Sequence, residues 1–198
     1  MSEEMVIRCC ALTLAAIKIG SLFNCAFESQ KDMTQSLRCV NRCILHKGVC
    51  AIPLCFREGE AFIYLYRAAM LEQDLNHPLA EEILRAYGYP KRGMMERIMF
   101  LITRLKDCDA FPHEIGLFLG YPPADVKGFI EGKPCKCTGL WKVFESDETE
   151  ARQYFVRCKN CTRAYLQRSH EGWSLSRLTI QPRQFSYKKN QTERREIA

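Results

Sequence analysis

Four cysteines in the second half of the chain have the residue type and spacing that a metal site requires. They form a Cys135-x-Cys137 pair and a Cys158-x-x-Cys161 pair, with 20 residues between the pairs. Four thiolates in two pairs are the ligands of structural zinc sites and of iron–sulfur clusters. The second pair, however, lies on the apolar side of a segment with helical periodicity, where both thiols can be core residues. A zinc or iron–sulfur site and a set of buried thiols therefore both remain open.

A second segment, residues 112–130, matches the pattern of a helix-turn-helix DNA-binding unit. Gly116 stands where the two helices make close contact, Gly120 lies in the turn, and Val126 lies on the inward side of the second helix. The outward positions of that helix combine one basic and one acidic side chain with small residues: Pro123, Ala124, Asp125, Lys127 and Gly128. One lysine beside one carboxylate complements phosphates poorly. A DNA-binding regulator is therefore an alternative, and the packing of two short helices explains the same pattern.

Catalytic motifs do not single out a reaction. His113-Glu114 lacks the second histidine of a zinc-protease motif, because Leu117 occupies that position. The sequence has neither a Gly-x-Ser-x-Gly nucleophile motif nor a phosphate-binding glycine loop. Lys18 lies between two isoleucines and can either bind an anion or extend to the surface. Whether the protein is an enzyme is left open, and an enzyme of unknown class would use Lys18, Arg67 and His113.

The elements that must position these residues are mostly helices. Ser29 followed by Asp32 is typical of a capping box, and Gly48 ends the helix that follows. Pro112 predicts another helix start. Ser146 predicts the N-cap of a long final helix with acidic residues in its first turn.

Strand signals are fewer than helix signals. Residues near 49–66 predict a hairpin, because an Arg-Glu-Gly-Glu turn separates two apolar runs, and Pro53 indicates an edge strand or a bulge. Residues 141–144 predict a short strand. Residues 6–27 are so continuously apolar that periodicity does not distinguish helix from strand. We therefore predict an α+β fold, a mostly helical single domain over residues 1–182 with a small antiparallel sheet.

The net charge of +6 is unevenly distributed. Residues 183–198 hold five basic and two acidic side chains, which predicts a disordered basic polar tail with a net charge of +3. The rest of the chain shares the other +3, so binding to nucleic acid is disfavoured without being excluded. The first residues are acidic, and the apolar run at 9–17 is too short to span a membrane. We expect a cytoplasmic protein with no membrane partner, and twelve cysteines favour a reducing, anaerobic cell.

The longest recognisable pattern is FPHEIGLFLGYP at residues 111–122, followed by DVxGFI at 125–130 and CxGxWKV at 137–143. Together with weaker matches nearer the N-terminus, these motifs resemble the DUF3793 family of bacterial proteins over residues 10–167. The resemblance implies a single-domain protein of anaerobic Firmicutes, with no established activity.

The resemblance also bears on the candidate residues. The family pattern includes Cys137 and Cys161 but not the other two cysteines, which implies that a metal shared by the family does not use all four. Lys18 matches the lysine of the family, whereas Ile19 stands where the family pattern has proline.

We therefore expect a non-catalytic protein that binds a ligand or is linked to redox or metal chemistry. The cofactor is unknown, with zinc and iron–sulfur as candidates. The candidate ligand-binding residues are the polar side chains within the family-like motifs: Lys18, Arg67, His113, Glu114 and Lys142.

Overall fold

A computed structural model describes residues 1–57, 59–91, 93–107 and 111–181. The predicted basic tail at 183–198 lies outside the described residues. The α-helices are α1 (Glu3–Leu14), α2 (Gln30–Ile44), α3 (Ala68–Leu75), α4 (Pro78–Ala86), α5 (Met94–Asp107), α6 (Ile115–Phe118), α7 (Pro123–Ile130), α8 (Glu148–His170) and α9 (Leu175–Leu178). A 3₁₀ helix at Leu45–Lys47 follows α2. Within the described part of the chain, no helix combines the length and the apolar character needed to cross a membrane.

Three antiparallel strands form the central sheet. These are β1 (Gly20–Ala26), β2 (Val49–Arg57) and β3 (Glu60–Arg67), in the order β1–β3–β2. The predicted hairpin is thus β2 and β3, and the predicted irregularity at Pro53 is a shift of register between Pro53 and Cys55. A second, two-stranded sheet pairs β4 (Cys137–Thr138) with β5 (Lys142–Val143), so the short strand near 141–144 is also present. The predicted α+β class, mostly helical with a small antiparallel sheet, is confirmed.

The central strand β3 is covered on both faces. Ile63 and Leu65 point to a core shared with α1, α2, α8 and α9. Tyr64 and Tyr66 point to a second core shared with α3 to α7. Because neighbouring residues of a strand face opposite ways, this double burial makes the sequence of β3 almost continuously apolar. The sheet therefore separates two helical layers.

The apolar run at 6–27 contains both a helix and a strand. Helix α1 ends at Leu14, and Ala16 adopts a left-handed conformation with φ of 56° before β1 begins at Gly20. Burial is nearly continuous on both sides of this break, which is why the pattern did not separate the two elements. The junction places Lys18 on a short turn between α1 and the sheet.

Two predicted helix starts are corrected by the structure. The helix expected from Pro112 begins at Ile115 and has only four residues, since Pro112 contributes a carbonyl to the preceding turn instead. The N-cap of the last long helix is Asp147, which accepts a hydrogen bond from the Glu150 N–H, rather than Ser146. The cap at Ser29 is as predicted, with its hydroxyl accepting from the Asp32 N–H at 3.1 Å.

Arg67 connects the end of β3 to the end of α1 and to the segment after α9. Its Nε donates to the carbonyl of Thr13 at 2.6 Å and its Nη2 donates to the carbonyls of Leu14 and Ile180, both at 2.7 Å. The residue is 2% exposed. A cation at the carboxyl end of α1 also complements the negative end of the helix dipole. Arg67 therefore holds the N-terminal helix, the central strand and the segment after α9 together.

We predict that Arg67→Met destabilises the protein by about 3 kcal/mol or more, because three carbonyls, two of them buried, lose a donor carried by a charged group. The measurement is the free energy of unfolding in denaturant. Arg38→Met on α2, where the side chain is exposed, is the matched control and is expected to change stability by less than about 0.5 kcal/mol. Equal stabilities of the two variants would contradict the structural role of Arg67.

Candidate functional site

The turn after α1 positions Lys18. The backbone N–H groups of Ile17 and Lys18 both donate to the carbonyl of Leu12, at 2.9 and 3.1 Å, which closes the end of the helix. Gly120 packs so closely against this turn that a Cβ there would lie 2.7 Å from Cγ1 of Ile19. Gly120 also has φ of 76°, a conformation that favours glycine. This close approach brings the ring of Tyr121 within 5.0 Å of Lys18 Nζ.

The charge of Lys18 is not matched by an acid. No ion pair or side-chain hydrogen bond joins Lys18 Nζ to another described residue. Its nearby ionisable groups are the thiols of Cys10 and Cys158. Burial lowers the pKa of Lys18 to about 8, with a smaller opposing effect from these thiols. Burial also raises the pKa of both thiols, so they stay protonated at neutral pH and do not neutralise the amine.

Aromatic rings line the surface beside Lys18. The ring of Trp141 lies 5.7 Å from the ring of Tyr121 and 5.6 Å from the ring of Tyr154, between centroids. The hydroxyl of Tyr154 donates to the carbonyl of Ile17 at 3.2 Å, which ties α8 to the same turn. All three rings are partly exposed. Together with Lys18 they form a cationic surface with aromatic walls, which we call the Lys18 surface.

Asp125 holds Trp141 in this position. One carboxylate oxygen accepts from Trp141 Nε1 at 2.8 Å, and the other accepts from the backbone N–H groups of Phe144, Glu145 and Ser146 at 2.7–3.0 Å. The residue is 1% exposed. Burial alone would raise the pKa of Asp125, but the hydrogen bonds from Ser146, Phe144 and Glu145 outweigh it and hold the pKa below its ordinary value.

The remaining sequence-predicted residues do not join Lys18 in one pocket. Arg67 is inside the fold, and its Nη1 alone has no hydrogen-bond partner among the described residues. Glu114 is fully buried, accepts a hydrogen bond from the Tyr89 hydroxyl at 3.0 Å and forms an ion pair with Arg104 at 2.6 Å.

His113 and Lys142 meet at a different surface, on either side of Phe129. The His113 ring lies 4.9 Å from the Phe129 ring, and Lys142 Nζ lies 5.4 Å from the centre of the same ring. Phe129 is 38% exposed. Two of the five candidates are thus brought together, and neither has a buried neighbour of opposite charge there among the described residues.

The four candidate metal ligands are dispersed. Cys135 is exposed and donates to the carbonyl of Cys137, whose side chain packs with Val143. Cys158 is buried near Lys18, and Cys161 packs against the core beneath α1. Among the described residues, no group of three or more His, Cys, Asp or Glu side chains is placed to hold a metal ion. The structure therefore does not arrange these thiols as a four-thiolate site.

The segment at 112–130 does not present a free recognition helix. Helix α6 has four residues, and α7 directs Asp125 and Gly128 into the protein, not outward as the helix-turn-helix pattern required. A Cβ on Gly128 would lie 2.6 Å from Cβ of Phe144, so the following segment covers this side of α7. Lys127, the basic side chain of the expected DNA-facing surface, pairs with Glu82 at 2.9 Å.

A cleft of about 610 Å³ lies between α4 and α5, but its central cation is already used. Arg97 is 2% exposed and donates to the carbonyls of Leu75, Pro90 and Lys91 and to the carboxylate of Glu81. These contacts fasten the loops at either end of α4. The cleft is therefore a less favourable anion site than the Lys18 surface.

Sequence reasoning selected Lys18 but missed Tyr121, Trp141, Tyr154 and Asp125. Tyr121 and Trp141 belong to the motifs that carry the family resemblance, which was the available signal. Asp125 also belongs to these motifs, as the first residue of DVxGFI, but it matched an outward position of the helix-turn-helix pattern. Tyr154 had no such signal, since it follows the apolar stripe of α8.

The sequence matches the family described as "Protein of unknown function (DUF3793)" over residues 6–179. No curated protein and no solved structure matches the chain.

We predict that Asp125→Asn lowers the free energy of unfolding by about 2 kcal/mol at pH 7, because an amide replaces a carboxylate that accepts four hydrogen bonds. The folded-state pKa of Asp125 is depressed, so its contribution is complete above its ordinary pKa of 3.8 and is lost as the pH falls through the folded value. Denaturant unfolding from pH 7 to pH 3 should therefore show the two proteins converging in acid. Glu28→Gln, at an exposed carboxylate, is the control, and a difference for Asp125→Asn that does not depend on pH would contradict the argument.

We also predict that iodoacetamide labels Cys39 and Cys135 well before Cys10 and Cys158 in the folded protein. The first two thiols are exposed, whereas the other two are buried and burial raises their pKa. Peptide mass spectrometry over a time course measures the order of labelling. The denatured protein is the control, in which all four should react at similar rates, and early labelling of Cys10 in the folded protein would refute the burial of this thiol.

Proposed function

The chain belongs to the DUF3793 family, whose description gives no activity, and we propose that it binds a small organic anion at the Lys18 surface. The proposal is for binding without catalysis. The sequence predicted only a ligand-binding protein, whereas the proposal names one residue, Lys18, and one class of ligand.

The observation that carries the proposal is a partly buried ammonium group without an acidic partner among the described residues. A charge removed from water costs free energy unless an opposite charge or hydrogen bonds compensate for it. Arg67, Arg97 and Arg104 all have such compensation within the protein. Lys18 has an aromatic ring and two protonated thiols instead, so a bound anion is the partner that its position calls for.

The neighbouring rings define the rest of the ligand. Tyr121, Trp141 and Tyr154 offer apolar faces and edges on which a planar body can stack. Arg157 lies over the outer side of the Tyr154 ring, 5.8 Å from its centre, and adds a second positive charge at the rim. A planar carboxylate or phosphate ester matches this combination of charge and apolar surface.

We also propose a reducing cytoplasm as the setting of this binding. The eleven cysteines within the described residues are all unpaired. Structural disulfides are typical of oxidising compartments, whereas free thiols persist where glutathione and thioredoxin keep them reduced. An anaerobic host fits the same argument, because twelve thiols are least exposed to oxidation there.

We predict that benzoate and phenyl phosphate bind the protein at pH 7 and that Lys18→Met weakens both at least tenfold, a loss of about 1.4 kcal/mol. Isothermal titration calorimetry measures the affinities. Lys31→Met, at an exposed lysine of α2, is the matched control and should bind like the wild type. Affinity should fall as the pH rises through about 8, because Lys18 loses its proton there.

Two further ligands separate charge recognition from apolar adsorption. Benzamide has the ring of benzoate without its charge, and benzylamine has the opposite charge, so neither should bind detectably. Benzamide binding as tightly as benzoate, unchanged affinity in Lys18→Met, or the absence of saturable binding by both anions would each overturn the proposal.

A further inference from the structure

The long helix α8 has one buried and one fully solvent-facing side. Its main packing partner is α1, along which it runs antiparallel, since Tyr154 reaches the carboxyl end of α1 and His170 lies 3.7 Å from Glu4 near the other end. The buried side carries Ala151, Cys158 and Tyr165. Because α8 packs mainly on α1, its outer side is left exposed to solvent.

The outer side of α8 is strongly basic. Residues 152–170 contain five arginines and lysines and no aspartate or glutamate. All five are exposed: Arg152, Arg157, Lys159, Arg163 and Arg168. Only Arg152 forms an ion pair within the described residues, with Glu148 at 2.6 Å. Positive charge is therefore concentrated on this one helix, although the net charge of the whole chain is modest.

The helix dipole does not explain these charges. Basic residues complement the dipole only within the last turn of a helix. In α8 that argument applies to Arg168, whereas Arg152, Arg157 and Lys159 lie in its first half. The guanidinium of Arg157 lies over Tyr154, and that of Arg168 over Trp173, at 5.8 and 4.9 Å from the ring centres. These rings limit the motion of both side chains without neutralising them.

The charges form two rows with amides between them. At about 100° per residue, one row contains Arg152, Lys159 and Arg163 and the other contains Arg157 and Arg168. Between the rows lie three amide side chains at intervals of seven residues, all exposed: Gln153, Asn160 and Gln167. Glutamine and asparagine can hydrogen-bond to base edges, whereas arginine and lysine contact phosphates. The pattern therefore places phosphate-binding groups at both edges of a strip of base-reading groups.

We propose that α8 binds duplex DNA by lying in the major groove, with its two basic rows facing the two phosphate backbones and its central amides facing the bases. The major groove of B-form DNA, about 12 Å wide, admits an α-helix. The major groove of duplex RNA is deep and narrow and does not admit side chains in this way. This surface does not include residues 112–130, and it adjoins the Lys18 surface at Arg157, which lies over the Tyr154 ring.

The test measures binding of a fluorescein-labelled 20-base-pair DNA duplex to the full-length chain by fluorescence anisotropy between 50 and 200 mM salt. Each lost phosphate contact lowers the slope of log affinity against log salt by about 0.9. The double variant Lys159→Gln/Arg163→Gln should therefore bind at least tenfold more weakly at 50 mM salt and lose about 1.8 from the slope. Lys31→Gln/Arg38→Gln on α2 removes the same charge from an exposed helix and should leave both quantities unchanged.

The same assay separates the competing outcomes. Retained binding in the control with loss in the α8 variant supports the proposal, as does a further loss in Asn160→Ala that differs between duplex sequences. Equal weakening of the two double variants would overturn the proposal, because binding would then depend on the overall charge of the protein or on residues 183–198 and not on α8. No binding at 50 mM salt, or a duplex RNA of the same sequence bound as tightly as DNA, would also overturn it.

Discussion

The guanidinium of Arg67 makes the contacts on which the positions of α1 and of the segment after α9 depend. It comes from the last residue of the central strand and reaches the carbonyls of Thr13, Leu14 and Ile180. A buried arginine is costly unless its donors find acceptors, and here the acceptors are two carbonyls at the end of α1 and the carbonyl of Ile180. The sheet, the first helix and the segment after α9 are therefore fixed relative to one another by one side chain.

This constraint also determines where Lys18 lies. Beside these contacts the chain leaves α1 through hydrogen bonds to Leu12 and Thr13 and the left-handed turn at Ala16. Lys18 then faces the turn at Gly120, which belongs to the other helical layer. The Lys18 surface is thus built from elements of both layers, with Lys18 and Tyr154 from one and Tyr121 from the other. The interior arginine is bound by carbonyls of the protein, whereas Lys18 has no acidic partner among the described residues.

The sequence predicted the parts of the fold that have local signals. The hairpin had a polar turn between two apolar runs, and the helix at Gln30 had a capping serine. It did not reveal β1, because burial on both sides of the Ala16 turn removes the alternation that marks a strand. The site was predicted only at Lys18. Arg67 and Glu114 were candidates for ligand binding because they are polar. Their burial and their partners depend on contacts between residues distant in the chain, such as Arg67 with Ile180 and Arg104 with Glu114. The outward position predicted for Asp125 was wrong for the same reason, because its carboxylate oxygens accept hydrogen bonds from a segment 16 to 21 residues further along the chain.

The two proposed binding surfaces use different sides of α8 and share Arg157 at their boundary. Tyr154 and Cys158 face the turn that carries Lys18, while Gln153, Asn160 and the basic rows face outward. A ligand beside Lys18 therefore contacts the inner side of the helix whose outer side carries the unpaired charge. Proximity alone does not couple two sites, because a ligand shifts a conformational equilibrium only when it binds two states with different affinity. A planar anion stacked on Trp141 and Tyr154 would bind two states with different affinity if its binding moved α8 relative to α1. The hydrogen bond from Tyr154 to Ile17 is the contact that such a movement would have to break.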